Sequence, residues 1–348
     1  MRFTNQENKL AGRIQAALPG VTPGVVLRVY HRGQLVHDIR VSETYRIYDL
    51  ASLTKIIFTQ QAMMQAFDLG QWNLRTTVAS ILEDFPDQRV EIRELLTHSS
   101  GIEWWKPFYL AVDPALPWRE KRVWLYEQLK QAEFRRTGKS VYSDLGFMLL
   151  GFILERLSDR SLLGTWESIK SGVYPQTALE FHVDNKTTTG MDQFAPTEDC
   201  AWRKKLLRGE VHDENTFALG GISSHAGLFG GIEDISVFGL NLRAQLLGMA
   251  NHYVRQETAR LFAGRAVPPA TGDWALGFML PSPEGASCGS HFSTTSIGHT
   301  GFTGTSVWYD PQRDLLVLIL SNRVRYGRDS KAFLQLRPKI HDWIVESL

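Results

Sequence analysis

A serine and a lysine three residues apart form the first chemically suggestive pair in this sequence. Ser52 and Lys55 begin a segment with helical periodicity, so their side chains are expected on one helix face, one turn apart. A serine hydroxyl is a poor nucleophile until a base removes its proton, and lysine can be that base only if burial or nearby positive charge lowers its pKa. The apolar run 56–58 indicates that this turn is buried. The pattern alone also fits a solvated helical face.

A tyrosine stands directly before a second helical segment. Tyr142 is followed by Ser143, Asp144 and the amphipathic stretch 144–156. A phenol held near cationic groups can shuttle a proton between a nucleophile and a leaving group. The same residues also fit an N-terminal capping segment, with Ser143 or Asp144 as the cap.

A short polar sequence ends a predicted strand near the C-terminus. There, His299, Thr300 and Gly301 could border a substrate, because a strand edge can hydrogen-bond an extended ligand and supply a backbone N–H to an oxyanion. Any strand that ends before a glycine turn gives the same pattern.

The glycine-rich stretch 211–227 is a further candidate. It is predicted to be a loop in which His212, Asn215 and His225 converge on a cleft and position substrate. The alternative is that His225 and Asp213 only tie the loop to the core. No HxxxH or HExxH spacing occurs, so we expect no metal, and no cofactor is expected either.

Two tryptophans, Trp104 and Trp105, begin an aromatic stretch that continues to Tyr109. Such a cluster fits one wall of a pocket, for an apolar acyl group or the face of a sugar. Core packing of this region is the alternative.

Strand-like segments at both ends of the chain must position these residues. They are 24–30, 34–40, 296–300, 305–309 and 315–321, with a hairpin between the first two. The region between them is mostly helical, as in 54–69, 119–132 and 144–156, and helical patterning returns at 1–18 and from about 330. The stretch 175–199 is predicted to be irregular. The separation of strand-like segments at the ends from helical segments in the middle predicts an α+β fold. The N- and C-terminal segments are expected to build one antiparallel sheet flanked by helices, and the middle of the chain is expected to be a large, mostly helical insertion. We expect a sheet-containing domain, 1–60 plus 235–348, and a helical domain, 61–234.

Composition excludes several classes of protein. The chain has 348 residues, 43% of them hydrophobic and 22% charged, with a net charge of +1, so no argument for nucleic-acid binding follows from charge. No apolar run is long enough to span a bilayer. Cys200 and Cys288 show no CxxC spacing, which argues against a disulfide scaffold and a structural zinc site.

The three motifs in this order resemble the serine hydrolases related to penicillin-binding proteins, along nearly the whole chain. The match is to the branch of class C β-lactamases, D,D-peptidases and esterases, and class A with its S-D-N and K-T-G motifs fits less well. Further sequence motifs typical of that branch are ELLTHSSG at 94–101, GLFGGIEDI at 227–235, DP at 310–311 and LSNR at 320–323.

The resemblance implies a β-lactamase/transpeptidase-like fold, an α/β sandwich plus a helical lobe, and a set of roles. Ser52 would be acylated, and Lys55 and Tyr142 would form the acid/base pair. The backbone N–H groups of Ser52 and Phe302 would form the oxyanion hole. The residues expected to bind substrate are Asp144, His299, Thr300 and Gly301.

Two positions depart from the class C pattern, which has asparagine where this chain has Asp144 and lysine where it has His299. Both changes lower the local positive charge, which disfavours recognition of the carboxylate of a β-lactam. A carboxylate near Lys55 also favours the ammonium, which makes Tyr142 the more attractive general base.

The expected activity is acyl transfer to water, as a D,D-carboxypeptidase, a D-amino-acid peptidase or a carboxylesterase with weak or no β-lactamase activity. The alternatives are a non-catalytic penicillin-binding sensor and a true class C-like β-lactamase. An α/β-hydrolase is disfavoured, because the G-x-S-x-G pentapeptide at 285–289 lies in a stretch rich in Pro, Gly and Ser rather than between a predicted strand and a predicted helix. The expected partner is a small molecule, short peptide or ester, with no nucleic acid, and the oligomeric state is open. The expected location is cytoplasmic if Met1 is the native start, and periplasmic or extracellular if a leader was removed.

Overall fold

A computed structural model describes residues 5–249 and 253–348. The strands are β1 (Gly24–His31), β2 (Gln34–Ser42), β3 (Tyr48–Asp49), β4 (Glu180–Phe181), β5 (Asp199–Cys200), β6 (Lys205–Leu206), β7 (Leu228–Gly230), β8 (Ile297–Thr300), β9 (Ser306–Asp310) and β10 (Leu315–Ser321). The α-helices are α1 (Asn5–Ala17), α2 (Gln60–Asp68), α3 (Val78–Ile81), α4 (Ile92–Leu96), α5 (Trp118–Lys130), α6 (Asp144–Ser158), α7 (Leu162–Val173), α8 (Glu214–Ala218), α9 (Ile232–Leu247), α10 (Gln256–Ala263) and α11 (Ala332–Glu346).

The main sheet is antiparallel and joins the two ends of the chain. Its strand order is β2-β1-β10-β9-β8, so the N-terminal hairpin pairs directly with the last strand. The register aligns Val25 with Ser321 and His31 with Leu315. A second sheet has three strands in the order β3-β7-β4. The predicted α+β class and the β-lactamase/transpeptidase-like fold are confirmed.

Helices cover both faces of the main sheet. Because side chains alternate along a strand, Val25 and Leu27 pack with α1 and α11 on one face, whereas Val26 packs into the larger core on the other. That larger core extends from the sheet through α2 and α6. Helix α2 follows Ser52 and Lys55 in the chain, and α6 begins at Asp144. The site is therefore supported by the most extensive apolar packing in the described part of the chain.

The predicted elements are present with small shifts at their ends. The segment 54–69 contains a π-helical turn, Lys55–Thr59, before α2 begins at Gln60. The predicted helix at 1–18 corresponds to α1, and its first four residues lie outside the described ones. Within the described residues, no helix combines the length and apolarity needed to cross a bilayer. The division into 1–60 plus 235–348 and 61–234 stays a prediction.

Candidate active site

Ser52 lies in a strained turn that links β3 to α2. The turn is a single 3₁₀ turn, Ala51–Leu53, and Ala51 has φ +47°, a left-handed conformation that is costly for a residue with a Cβ. The buried carboxylate of Asp49 accepts the Ala51 N–H at 2.8 Å and the His212 N–H at 2.6 Å. This carboxylate therefore holds the strained turn against the 211–227 loop.

The connection between β8 and β9 clamps the same turn from the other side. Thr303 donates its hydroxyl to the Asp49 carbonyl at 2.7 Å, and Thr305 donates to the Leu50 carbonyl at 3.1 Å. A Cβ on Gly301 would lie 2.6 Å from that Leu50 carbonyl oxygen, so only glycine lets the end of β8 approach so closely.

Two hydrogen bonds converge on the Ser52 hydroxyl. Tyr142 donates from its phenol at 2.8 Å, and Lys55 donates from Nζ at 3.2 Å. These are the three residues for which the sequence predicts nucleophile and acid/base roles, and the fold brings them together from segments about 90 residues apart. The geometry suits proton transfer to and from the serine oxygen.

Lys55 is fully buried and all three of its N–H bonds have acceptors. Besides Ser52, they are the Asp144 carboxylate at 2.7 Å and the His225 carbonyl at 3.0 Å. Burial lowers the pKa of Lys55, but the charge of Asp144 and the contacts with Tyr142 outweigh it, so its pKa is raised overall. The resting lysine is an ammonium.

Tyr142 rests as a neutral phenol. Burial raises its pKa, and the nearby Lys55 ammonium opposes this only in part. Its ring packs 4.7 Å from the ring of His98 and 6.0 Å from that of Trp274, centroid to centroid. The phenol is therefore held by packing as well as by its hydrogen bond.

Ser143 and Asp144 have different roles at the start of α6: the first caps the helix and the second pairs with Lys55. Ser143 caps α6, because its hydroxyl accepts the Gly146 N–H at 3.1 Å. Its own N–H donates to Nδ1 of His98 at 3.0 Å. With the cap supplied by Ser143, Asp144 is free to pair with Lys55.

His299 lies at the site but is only 1% exposed. Its Nδ1 is 2.9 Å from the Thr300 carbonyl, so that nitrogen carries the proton, and Nε2 has no hydrogen-bond partner among the described residues. Burial, with Lys55 adding to it, lowers the pKa of His299 to about 3. A neutral imidazole stands where a class C enzyme has an ammonium.

The 211–227 loop supports the site rather than opening into it, because the side chains of His212, Asn215 and His225 are all buried. Asn215 accepts the Tyr109 N–H at 3.0 Å and donates to the Lys106 carbonyl at 2.8 Å. Their burial favours the alternative in which this loop is tied to its surroundings, and contact of these side chains with substrate stays a prediction.

His225 is fixed by two side chains of its own loop. Its Nδ1 is 2.7 Å from the Ser223 hydroxyl and its Nε2 is 3.2 Å from the Asp213 carboxylate. Burial raises the pKa of Asp213, but His225 and the Thr216 N–H outweigh it and hold that pKa well below its usual range. This arrangement aims the His225 carbonyl at Lys55.

Three potential metal ligands lie close together, namely Asp144, Asp213 and His225, with ligand atoms within 4.8 Å of one another. The Lys55 ammonium already bonds to Asp144 and to the His225 carbonyl in this cluster. A divalent cation would have to approach that buried positive charge, so the donor set fits the lysine better than a metal.

The oxyanion donors named from the resemblance lie on adjacent segments. Phe302 follows Gly301, and its carbonyl accepts a hydrogen bond from Nε of Arg323 at 2.8 Å. The His212 ring stacks on the Phe302 ring with a centroid separation of 5.4 Å. The segment after β8 is therefore fixed on both sides.

Sequence reasoning did not assign a role to Asp49, His98 or Trp274. His98 belongs to the motif ELLTHSSG, which indicated the family resemblance but no role for His98. Asp49 stands three residues before Ser52. Nothing near Trp274 distinguishes it in the sequence. Its position beside Tyr142 arises only from the tertiary fold.

Comparison with known proteins identifies relatives of this chain. The profile of the Beta-lactamase family matches residues 11–337. An N-acetylmuramyl-L-alanine amidase of Bacillus subtilis is 29% identical over 325 residues, covering 84% of this chain and 72% of the relative. A putative D-alanyl-D-alanine carboxypeptidase of Escherichia coli K12 is 28% identical, covering 80% and 70%. Among solved structures, the octameric penicillin-binding protein homologue of Pyrococcus abyssi has a TM-score of 0.67 at 19% identity, covering 94% of this chain and 76% of its own.

Proposed function

Because the chain belongs to the Beta-lactamase family and is a serine hydrolase, we propose that its reaction passes through an acyl-enzyme on Ser52. One observation carries this proposal. The Ser52 hydroxyl lies 2.8 Å from the Tyr142 phenol and 3.2 Å from the Lys55 ammonium, on a strained turn. A nucleophile and its proton-transfer partners within hydrogen-bond distance are the signature of covalent catalysis.

The proton leaves Ser52 through the coupled pair of Tyr142 and Lys55. Both groups have raised pKa values, so at rest the lysine is an ammonium and the tyrosine is a neutral phenol. The pair must lose one proton before it can act as a base. Once that proton is lost, the Lys55 ammonium, 4.9 Å from the centre of the Tyr142 ring, stabilises the phenolate. Tyr142 then takes the serine proton during attack and returns a proton to the leaving group.

The tetrahedral intermediate is stabilised by the backbone N–H groups of Ser52 and Phe302. Each such donor contributes about 3 kcal/mol in related acyl-transfer sites. Deacylation repeats the sequence with water as the nucleophile. Thr300 and Gly301, at the end of β8, bind the backbone of an extended acyl group.

We favour a peptide or amide as substrate, with an ester as the second choice. The two curated relatives are named as an amidase and a putative carboxypeptidase. Asp144 is a carboxylate and His299 is neutral, so neither position supplies the positive charge that would attract the carboxylate of a β-lactam. Weak or no β-lactamase activity follows. The organised contacts around Ser52 argue against a non-catalytic sensor.

Covalent labelling tests the proposal. We expect a fluorophosphonate to add one adduct at Ser52, and Ser52→Ala to lose it completely. Ser290→Ala, which removes an exposed serine, is the matched control and keeps the label. A fluorescent penicillin is expected to label slowly or not at all. An adduct mapped to Ser223, which also contacts a histidine, would overturn the assignment, and absence of any adduct would favour the sensor.

A further inference from the structure

Four aromatic side chains form a continuous row on the surface, here called the aromatic ladder: Trp104, Trp105, Tyr109 and Trp202. Trp104 stacks on Trp105 with ring centroids 5.9 Å apart and an angle of 28°. Trp105 lies 6.4 Å from Tyr109, and Tyr109 meets Trp202 edge to face at 4.6 Å. The ladder joins two segments almost 100 residues apart, so it is assembled by the fold.

The ladder is exposed at both ends. Trp104 is 59% exposed and Trp202 is 38% exposed, whereas Trp105 and Tyr109 are partly buried. Large aromatic rings left open to water in a connected row mark ligand-binding surfaces more often than packing. The alternative, core packing of this region, applies to neighbouring Phe108 but not to these rings.

The backbone at one end of the ladder is hydrogen-bonded to the candidate active site. The carbonyl of Trp104 accepts the N–H of Asp144 at 2.9 Å, and Asp144 pairs with Lys55. Asn215 fixes the middle of the ladder, since it bonds to backbone at Lys106 and Tyr109. The same loop that supports the nucleophile therefore also supports the ladder.

The other end opens into a polar cleft of about 530 Å³, lined in part by Tyr109, Trp202, Glu198, Glu214 and Arg328. Arg328 pairs with Glu198 at 3.1 Å and with Glu214 at 2.6 Å. Its guanidinium is also 6.0 Å from the ring of Phe302, beside the proposed oxyanion donor. The cleft thus shares Tyr109 and Trp202 with the ladder, and its Arg328 lies beside Phe302.

We propose that the aromatic ladder and this cleft form a carbohydrate subsite for a sugar carried by the substrate. The C–H groups on one face of a pyranose carry partial positive charge and stack on the negative face of an aromatic ring. Carboxylates and a guanidinium beside the rings supply acceptors and donors for the hydroxyl groups. A long acyl chain is disfavoured, because it needs a closed apolar pocket and this surface is open and charged. The carbohydrate subsite rests on the proposed function only in its activity test, since the binding test needs no turnover.

Binding is tested without turnover, in the Ser52→Ala protein, by calorimetry with an oligosaccharide of three N-acetylglucosamine units. We expect binding, and at least tenfold weaker binding when Trp104→Ala or Trp202→Ala is added. Trp343→Ala is the matched control, because that tryptophan contacts Arg13 near the chain termini, and it leaves affinity unchanged. Failure of the parent to bind, or equal affinity in all variants, would overturn the subsite.

Activity is tested with one short peptide, bearing a muramyl sugar or lacking it. We expect Trp202→Ala to lower the ratio of kcat/KM for the glycosylated peptide to that for the plain peptide by about tenfold, with Trp343→Ala unchanged. If neither peptide is cleaved but the oligosaccharide still binds through the ladder, the proposed function fails and the subsite stands. If both peptides are cleaved equally well and the ratio does not move, the subsite fails alone.

Discussion

The charge of Lys55 depends on one carboxylate. Asp144 is 2.7 Å from Nζ, and its charge is the largest influence that raises the pKa of a lysine whose burial would otherwise lower it. An asparagine at this position would keep a hydrogen-bond acceptor but remove the charge. The difference between this site and that of a class C β-lactamase therefore lies in the protonation of the lysine–tyrosine pair.

We expect Asp144→Asn to move the rising limb of the kcat/KM profile to lower pH by about one unit, equivalent to about 1.4 kcal/mol. The wild-type pair has raised pKa values, so wild-type kcat/KM rises with pH above neutrality, and removing the carboxylate makes the deprotonated pair easier to reach. The ratio of nitrocefin to p-nitrophenyl ester hydrolysis should also rise. Profiles measured for both proteins between pH 6 and 10 check this, with melting temperature as the control for folding. Superimposable profiles with unchanged nitrocefin turnover would contradict the charge argument.

The turn that carries Ser52 is the decisive element of the site. Its left-handed Ala51 persists because Asp49, Thr303 and Thr305 hold the backbone on both sides. Burial raises the pKa of Asp49, and its two backbone N–H donors offset this only in part. We regard Asp49 as a positioning residue, since it acts on Ser52 only through the backbone.

Asp49→Ala is expected to lower kcat by about 100-fold with little change in KM, because a misplaced nucleophile loses alignment rather than binding. Asp49→Asn, which keeps one acceptor, should recover part of the rate. Asp310→Asn is the matched control, since Asp310, at the end of β9, is also buried and also accepts backbone N–H groups. A parallel loss of kcat and melting temperature in Asp49→Ala and Asp310→Asn would indicate a structural role only.

Across the whole molecule, several histidines are buried in the neutral form. Burial lowers the pKa of His299 to about 3 and that of His341 to about 4, and lowers that of His98 well below its usual range. An unfolded chain binds a proton at each of these rings near pH 6.5, whereas the folded protein does not. Stability from these groups is thus complete above pH 6.5 and is lost as the pH falls towards their folded pKa values.

We expect the free energy of unfolding to fall between pH 6.5 and pH 4.5, with each such histidine contributing about 1.4 kcal/mol per pH unit. Urea unfolding across this range measures the slope. His341→Gln, far from Ser52, should reduce the slope by one histidine's share, and His291→Gln, at an exposed position, should leave it unchanged. A slope that is the same in all three proteins would show that other groups govern acid unfolding.

The sequence by itself predicted the sheet, the helices and three candidate site residues. Short runs of apolar, β-branched residues predict strands at both ends, and the antiparallel pairing of β1 with β10 agrees with them, because strands covered on both faces are apolar on both sides. Ser52, Lys55 and Tyr142 were identified because the motifs that contain them resemble, in this order, those of the serine hydrolases related to penicillin-binding proteins. Their roles stay predictions until the labelling is done.

Only the tertiary structure decided which groups surround those residues. Asp49, His98 and Trp274 contact the site through backbone bonds or ring packing that leave no periodic signal. His212, Asn215 and His225 looked like cleft residues but are buried supports, because burial depends on distant segments that fold over the loop. The aromatic ladder likewise exists only once Trp202 is brought to Tyr109. Spacing along a chain fixes local geometry, whereas contacts between segments far apart in sequence are set by packing of the whole core.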